Sequence, residues 1–448
     1  MEKKVIGKCV DYTYDGKGIV KKDNKTIFVD GVIKGEEVEL DIVYESKNQT
    51  LGKLTKIIKG SPSRQKIFCP LAKECGGCAL QHMNYKEQLK FKTNHVQDCI
   101  NKFSRLDIKV KDCIGMENPF NYRNKSQVPF SMEGKKICYG FYKQNTHKII
   151  QMDSCSIQSE DADKILKTIA DLMKKYKLSA YEEDKRKGIL RHVLIKKGFS
   201  TNQIMIVLIT NVNSFPNRKE IVKDLVKAHP NIRTVIQNIN TRDTNVILGE
   251  KENILYGNGY IEDILLGVKF KISSKSFYQV NPIQTATLYS KAIELADLSK
   301  KDRVLDTYCG IGTIGLIASK NVDEVIGVEI VKDAIKDAEG NARINNINNA
   351  NFVLADASDF MVDLSKTSEK MDVVFVDPPR KGCDEKFLSS IMKLSPKKII
   401  YISCNPSTLA RDLGILKEKY NIEEIQPVDM FPHTYHVETI ALLHLKKD

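Results

Sequence analysis

From about residue 278 onward, short apolar runs alternate with helical stretches, and this alternation restricts the fold more than any other feature of the 448-residue chain. Strands are expected at 304–305, 325–328, 351–354, 373–376 and 398–402, with helical segments between them. Apolar strands joined through helices build a doubly wound, largely parallel sheet. The pair Asn281-Pro282 marks a helix start, a cap followed by a first-turn proline, for a run to about Ala296.

Upstream the texture differs. Residues 5–59 read as short strands separated by turn glycines, the pattern of a small closed barrel. Ser61-Pro62-Ser63 is a linker, a helix is expected over 85–103, and 108–270 reads as mixed α/β. The expected units are 1–60, 61–275 and 276–448, with the helix near 84–103 packed on the last of them.

Charge is divided unevenly along the chain. Residues 61–280 carry 37 basic and 22 acidic side chains, while 281–448 carry 21 and 25. A basic middle beside a mildly acidic C-terminal unit suits a polyanion held by the former. No apolar run approaches the roughly 20 residues of a membrane helix, and the N-terminus has no apolar signal core, so a cytoplasmic protein is expected. Eleven cysteines in that compartment point to metal or catalytic sites rather than disulfides.

The turn Leu305-Asp306-Thr307-Tyr308-Cys309-Gly310-Ile311-Gly312 sits between the first strand of the alternating unit and a helix. Its glycines admit a ligand close to the backbone. Asp306 at that turn would repel a pyrophosphate and suits an ammonium, which favours S-adenosylmethionine over a dinucleotide. Glu329, at the tip of the next strand, is placed for two ribose hydroxyls. Asp356 after the third strand suits an adenine amino group, or equally an ordinary cap.

Two further motifs fall at strand ends, Asp377-Pro378-Pro379-Arg380 and Ser403-Cys404-Asn405-Pro406. A cysteine there is a candidate nucleophile. Glu438, near the C-terminus, serves as a base only if the fold returns it to the same cleft. Cys69, Cys75 and Cys78 form a local thiol set that needs a fourth ligand, with Cys99, Cys113, Cys138 and Cys155 available. Thiolate-only sites hold zinc or iron–sulfur. Arg123 and Lys125, within Asn121–Phe130, are candidate RNA contacts. Lys185-Arg186-Lys187 with Arg191-His192 reads as a second basic patch.

Ser276-Phe277-Tyr278-Gln279-Val280-Asn281, the glycine turn, Asp377-Pro378-Pro379-Arg380, Ser403-Cys404-Asn405-Pro406 and His436-Val437-Glu438-Thr439 occur in this order. Together they resemble the RNA uracil-5-methyltransferase family, and the resemblance covers nearly the whole chain. It implies a C-terminal Rossmann-like class I methyltransferase domain, an N-terminal OB-like TRAM β-barrel and a central α/β iron–sulfur domain. It implies Cys404 as nucleophile towards uracil C6 and Glu438 as the base that takes the C5 proton. Gln279, Tyr308, Glu329 and Asp377 become cofactor contacts for S-adenosylmethionine. Cys155 becomes the fourth ligand of a [4Fe–4S] cluster, with zinc as the alternative.

The implied substrate is 23S rRNA, a single-stranded loop with a flipped uridine, because tRNA-specific bacterial relatives commonly lack the barrel and the cysteine cluster. A tRNA enzyme and a non-catalytic iron–sulfur RNA-binding protein are the alternatives. Protein partners are not indicated.

Overall fold

The computed structural model describes residues 4–447 except 24, 135, 144, 145, 147, 184, 244 and 245. Strands β1 (Lys4–Tyr12), β2 (Gly18–Lys22), β3 (Lys25–Val29), β4 (Glu37–Glu45) and β5 (Thr50–Lys59) close into a barrel in the order β1-β2-β3-β5-β4. Its interior is filled by Cys9, Val20, Ile27, Val29, Val38 and Leu40. Glu36 is fully buried and receives both Arg64 Nη2 (2.6 Å) and Nε (2.7 Å), which anchors the linker to the barrel.

The middle of the chain forms a seven-stranded sheet. Strands β6 (Lys125–Glu133), β7 (Lys136–Tyr142), β8 (Ile149–Gln151), β9 (Leu190–Lys197), β10 (Ile204–Thr210), β11 (Ile232–Ile239) and β12 (Lys251–Tyr256) lie in the order β12-β11-β10-β9-β6-β7-β8. Helices Glu160–Lys175 and Arg218–Ala228 cover one face through Ile165, Ile169, Ile221 and Leu225. The other face, with Met205, Val207 and Ile209, shares a core with the C-terminal unit. A hairpin, β13 (Tyr260–Leu265) and β14 (Val268–Ser273), inserts Ile261, Phe270 and Ile272 into that shared core.

The C-terminal unit is a second seven-stranded sheet. Strands β15 (Arg303–Asp306), β16 (Glu324–Glu329), β17 (Ala350–Leu354), β18 (Val373–Val376) and β19 (Lys398–Ser403) are parallel, as their apolar runs predict. Two closing strands, β20 (Tyr420–Val428) and β21 (Glu438–Leu445), complete the order β17-β16-β15-β18-β19-β21-β20, and β21 runs antiparallel to both neighbours. Consecutive strand residues point to opposite faces, so Val304 enters one core and Leu305 the other. Helix Pro282–Ala296 covers the first face, with Asn281 capping Gln284 N (3.2 Å).

Helix Tyr85–Cys99 covers part of the second face through Val96 and Cys99, beside Leu409 and Leu413. It passes into a π-turn at Ile100–Ser104, where Ser104 Oγ donates to Ile100 O (2.6 Å). Among the described residues no helix is long and apolar enough to cross a membrane.

Candidate active site

Three parallel strands end side by side, and their register brings the chemistry together. Asp306 pairs with Phe375, so Asp306 and Asp377 leave adjacent strands at one edge. Val376 pairs with Tyr401, which carries Cys404 out of the same edge on the next strand. Because β21 runs antiparallel and pairs Thr439 with Ser403, one further step of register sets Glu438 opposite Cys404. The returning strand brings Glu438 to the edge that carries Cys404.

The electrostatics of this edge are those of a crowded acidic site. Glu438 is buried, and desolvation followed by the charge of Asp377 holds its carboxyl well above the ordinary range, against the opposing pull of Arg380. Burial raises half-buried Asp377 to about 7. The half-buried Cys404 thiol is pushed up to about 11 by desolvation, then by Glu438 and Asp377, while Arg380 acts in the other direction. Positive charge entering this site therefore favours both the thiolate and the carboxylates.

Tyr289 belongs to the same cluster and was missed in the sequence. Desolvation, then the charges of Asp377, Asp306 and Glu438, holds its pKa well above the ordinary phenol range, against the opposing effect of the Gln279 side chain. Its signal was positional: it lies two turns after the Asn281 cap, on the helix face that carries Leu288, Ala292 and Ala296.

The glycine turn has the shape that a ligand with amino and hydroxyl groups needs. Asp306 Oδ2 accepts from Gly315 N (3.0 Å), and its Oδ1 is buried with no partner. Burial and the like charges of Asp377 and Glu329 raise this carboxyl to about 7 despite the Gly315 N–H. An ammonium would satisfy the orphaned oxygen. Glu329 is held by Gly310 N (3.1 Å) and Val331 N (2.9 Å). Gly310 adopts φ +54° and faces open space where a side chain would stand, so the backbone there is bare.

Tyr308 is half-buried 5.8 Å from the Phe387 ring, and burial, then the neighbouring Cys383, holds its hydroxyl above the ordinary phenol range. Asp356 is exposed and caps helix Ala357–Leu364, with Oδ1 accepting from Ser358 N (2.9 Å) and Asp359 N (3.2 Å).

Arg123 and Lys125 are tied to the site by the residue between them. Asn124 donates through N to Val280 O (2.8 Å) and through Nδ2 to Gln279 O (2.9 Å). Burial, then the charges of Arg380, Lys92 and Arg123, lowers His436 to about 4. Neither Arg123 nor Lys125 has a carboxylate partner among the described residues. Tyr435 stacks obliquely on His436 (4.3 Å) and meets Tyr14 of the barrel edge-on (6.4 Å). The barrel thereby contributes to a basic and aromatic rim.

The cysteines separate by environment. Cys78 is raised to about 12 by burial and then by Cys155, Cys75 and Cys69, and Cys155 in turn feels Cys69. Cys78 and Cys155 also border one small cluster with Met116, Tyr122 and Ile157. Cys99 meets Ser407 (3.5 Å) and Cys138 donates to Glu133 (3.5 Å), away from that set. A thiol set that repels its own ionisation fits a cationic centre in its chemistry. Among the described residues, however, no three His, Cys, Asp or Glu side chains stand at metal-holding spacing.

A doubly wound sheet carries, at one edge, a bare glycine turn beside an orphaned carboxylate and a thiol within the field of a buried acid. The chain belongs to the RNA uracil-5-methyltransferase family: the family model described as tRNA (uracil-5-)-methyltransferase matches residues 84–446. An uncharacterized RNA methyltransferase of Clostridium tetani is 47% identical, covering 96% of this chain and 93% of its own. One from Staphylococcus aureus is 44% identical over 98% of each chain. Among solved structures, Pyrococcus abyssi tRNA (uracil-54, C5)-methyltransferase in complex with S-adenosyl-L-homocysteine superposes with a TM-score of 0.80 at 27% identity, covering 98% of this chain and 100% of that one.

Proposed function

We propose that this protein methylates C5 of a uridine in 23S rRNA with S-adenosylmethionine as donor, and the observation that carries the reading is Cys404 set opposite the buried Glu438. Uracil C5 is a weak nucleophile. Addition of the Cys404 thiolate to C6 places electron density on C5, and the Cys404–C6 bond is later broken when Glu438 takes the C5 proton. S-adenosylmethionine supplies the methyl group when bound. Asp306 would hold its amino group, Glu329 its ribose, and Gln279, Tyr308 and Asp377 the remaining contacts; Asp356 is assigned the adenine amino group through the oxygen not used in capping. The S-adenosyl-L-homocysteine in the Pyrococcus structure supports this cofactor.

The target base must leave its stack to reach Cys404, and the rim of Arg123, Lys125, Arg380, Tyr435 and Tyr14 suits the flanking single strand. The barrel is read as a TRAM domain that adds RNA contacts. Cys69, Cys75, Cys78 and Cys155 are assigned to a [4Fe–4S] cluster, with zinc as the alternative, in a structural or RNA-positioning role because methyl transfer involves no redox step. A cytoplasmic location accompanies this reading.

A second reading, tRNA as substrate, is favoured by the Pyrococcus tRNA enzyme, which aligns over 98% of this chain, barrel included. The barrel therefore does not separate the two substrates, and the rRNA assignment rests on the cysteine set. Mapping 5-methyluridine in rRNA and tRNA from a strain lacking the gene decides between them. Loss from 23S rRNA is expected, and loss confined to tRNA would overturn that substrate. Purified protein should also form a denaturation-stable adduct with 5-fluorouridine RNA in the presence of S-adenosylmethionine.

A further inference from the structure

The sequence groups Arg191 and His192 with Lys185–Lys187 in one basic surface patch. In the structure both are buried, with His192 only 9% exposed, and they border a cavity of about 180 Å³ on the β6–β8 side of the central sheet. Phe130, Tyr142 and Tyr181 contribute aromatic walls, and Glu182 and Glu183 line it as well. Arg191 is engaged internally: Nη1 donates to Asn240 O (3.0 Å) and Arg242 O (2.8 Å), and its guanidinium lies 4.6 Å from the Tyr181 ring.

We propose that this cavity receives one unstacked nucleobase of the RNA substrate, on a nucleotide other than the target uridine; the proposal rests on the protein acting on RNA. The lining supports a base rather than a whole cofactor. His192 lines the cavity, and its Nδ1 is sealed from solvent with no hydrogen-bond partner among the described residues. Burial, and then Arg191, lowers this imidazole to about 4, so it meets a ligand as a neutral ring. Glu182 is paired with Lys185, which also lines the cavity (2.6 Å), and the Glu183 carboxylate is placed to accept from an exocyclic amino group. Burial and the charge of Glu183 push the Tyr142 hydroxyl up to about 12, which sets this acid against the aromatic wall. Finally, the space suits one ring system between aromatic walls rather than a dinucleotide.

The cavity lies at the opposite end of strand β6 from the active-site rim. Lys125 pairs with Lys196 and Pro129 with His192, so Lys125 and His192 share one face of the sheet. Four residues of strand separate them, roughly 13 Å at 3.3 Å per residue. Lys125 stands two residues from Arg123 at the active-site rim, and Lys185 and Lys187 are exposed beside the cavity.

Saturation-transfer NMR with AMP and with ribose 5-phosphate, both with S-adenosylhomocysteine in excess to fill the cofactor site, tests the base specificity directly. AMP should give a signal and ribose 5-phosphate none. Tyr142→Ala and Glu183→Gln should each weaken AMP binding about tenfold, in keeping with the worth of one stacked base. Glu183 is exposed, so its substitution leaves the fold intact. An abasic site walked along a bound RNA fragment should cost wild type about tenfold in affinity at one position away from the target, and Tyr142→Ala nothing further there.

An AMP signal that is absent, or unchanged in both variants, overturns the proposal. So does AMP binding with every abasic position additive with Tyr142→Ala, which would mean a free nucleotide is the ligand. A protein that shows the expected effects yet transfers no methyl group would sink the methylation reading and leave the cavity assignment standing.

Discussion

Lys92 Nζ lies 2.5 Å from Asp429 Oδ1, with neither side chain exposed to solvent. The pair joins helix Tyr85–Cys99 to the segment between β20 and β21. Around it, Tyr85 donates to Asp429 Oδ2 (2.9 Å), Lys92 also reaches Phe431 O (3.1 Å), and Gln88 Oε1 accepts from His433 N (3.0 Å). That segment leads directly into Glu438, so a helix from the first quarter of the chain positions the proposed base.

Lys92→Met should therefore destabilise the protein by about 3–5 kcal/mol, because it strands a buried carboxylate. Urea denaturation measures this. An unchanged midpoint would show that Asp429 does not need its cation.

Glu438→Gln separates the two halves of the proposed chemistry. Addition by Cys404 does not need the base, whereas release does, so the variant should accumulate a covalent complex with ordinary uridine RNA. Turnover should fall by about 10²–10⁴. Denaturing gels with labelled RNA follow the complex, and Cys404→Ala should form none. Normal turnover by Glu438→Gln would remove this acid from the mechanism.

The Cys404 thiol should respond in opposite directions to its neighbours. Asp377 raises it, so Asp377→Asn should lower its titration midpoint from about 11; Arg380 lowers it, so Arg380→Ala should raise it. A midpoint lowered by about one pH unit increases the thiolate fraction at about pH 8 roughly tenfold. Rates of iodoacetamide labelling against pH read the midpoint, and movement in the same direction in both variants would contradict the site's electrostatics.

The parallel core of the C-terminal sheet was legible because its strands are buried on both faces and read as unbroken apolar runs; Val373–Val376 matches residue for residue. The Asn281 cap was equally plain, since capping is a local property. What could not be read was long-range. The Lys92–Asp429 pair spans 337 positions, and only the antiparallel return of β21 sets Glu438 beside Cys404. Arg191 and His192 misled for a related reason: charge in a strand looks solvated until the sheet that covers it is known. The cysteine ligand set was ambiguous locally, and only the fold brings Cys155 within the field of Cys78 while leaving Cys99 and Cys138 elsewhere.

Substituting Cys78→Ser should remove iron and acid-labile sulfide from anaerobically purified protein. Labelling of Cys404 should persist, because the thiol set and the nucleophile occupy different units. Affinity for RNA should fall, since Cys78 and Cys155 border the cluster containing Tyr122, which precedes Arg123. Wild-type protein that contains zinc and no iron would select the alternative metal, and loss of Cys404 labelling would show that the centre supports the whole fold.

Asp306 provides a test of the cofactor site that needs no turnover. Its carboxyl holds a proton up to about pH 7 in the folded protein, against an ordinary 3.8. Between these values the native state binds more protons than the unfolded chain, so this group's contribution to stability is complete below about pH 3.8 and is lost as pH rises towards 7. The slope is about 1.4 kcal/mol per pH unit while only the folded state holds the proton. Asp306→Asn keeps an oxygen for Gly315 N–H and removes the titration. The variant should match wild type near pH 4, exceed its stability at pH 8, and bind S-adenosylhomocysteine less tightly because the amino group loses its counter-charge. Denaturation midpoints across pH 4–8, measured with and without that ligand, give both quantities. Parallel stability curves for the two proteins would mean that Asp306 is already ionised in the empty site.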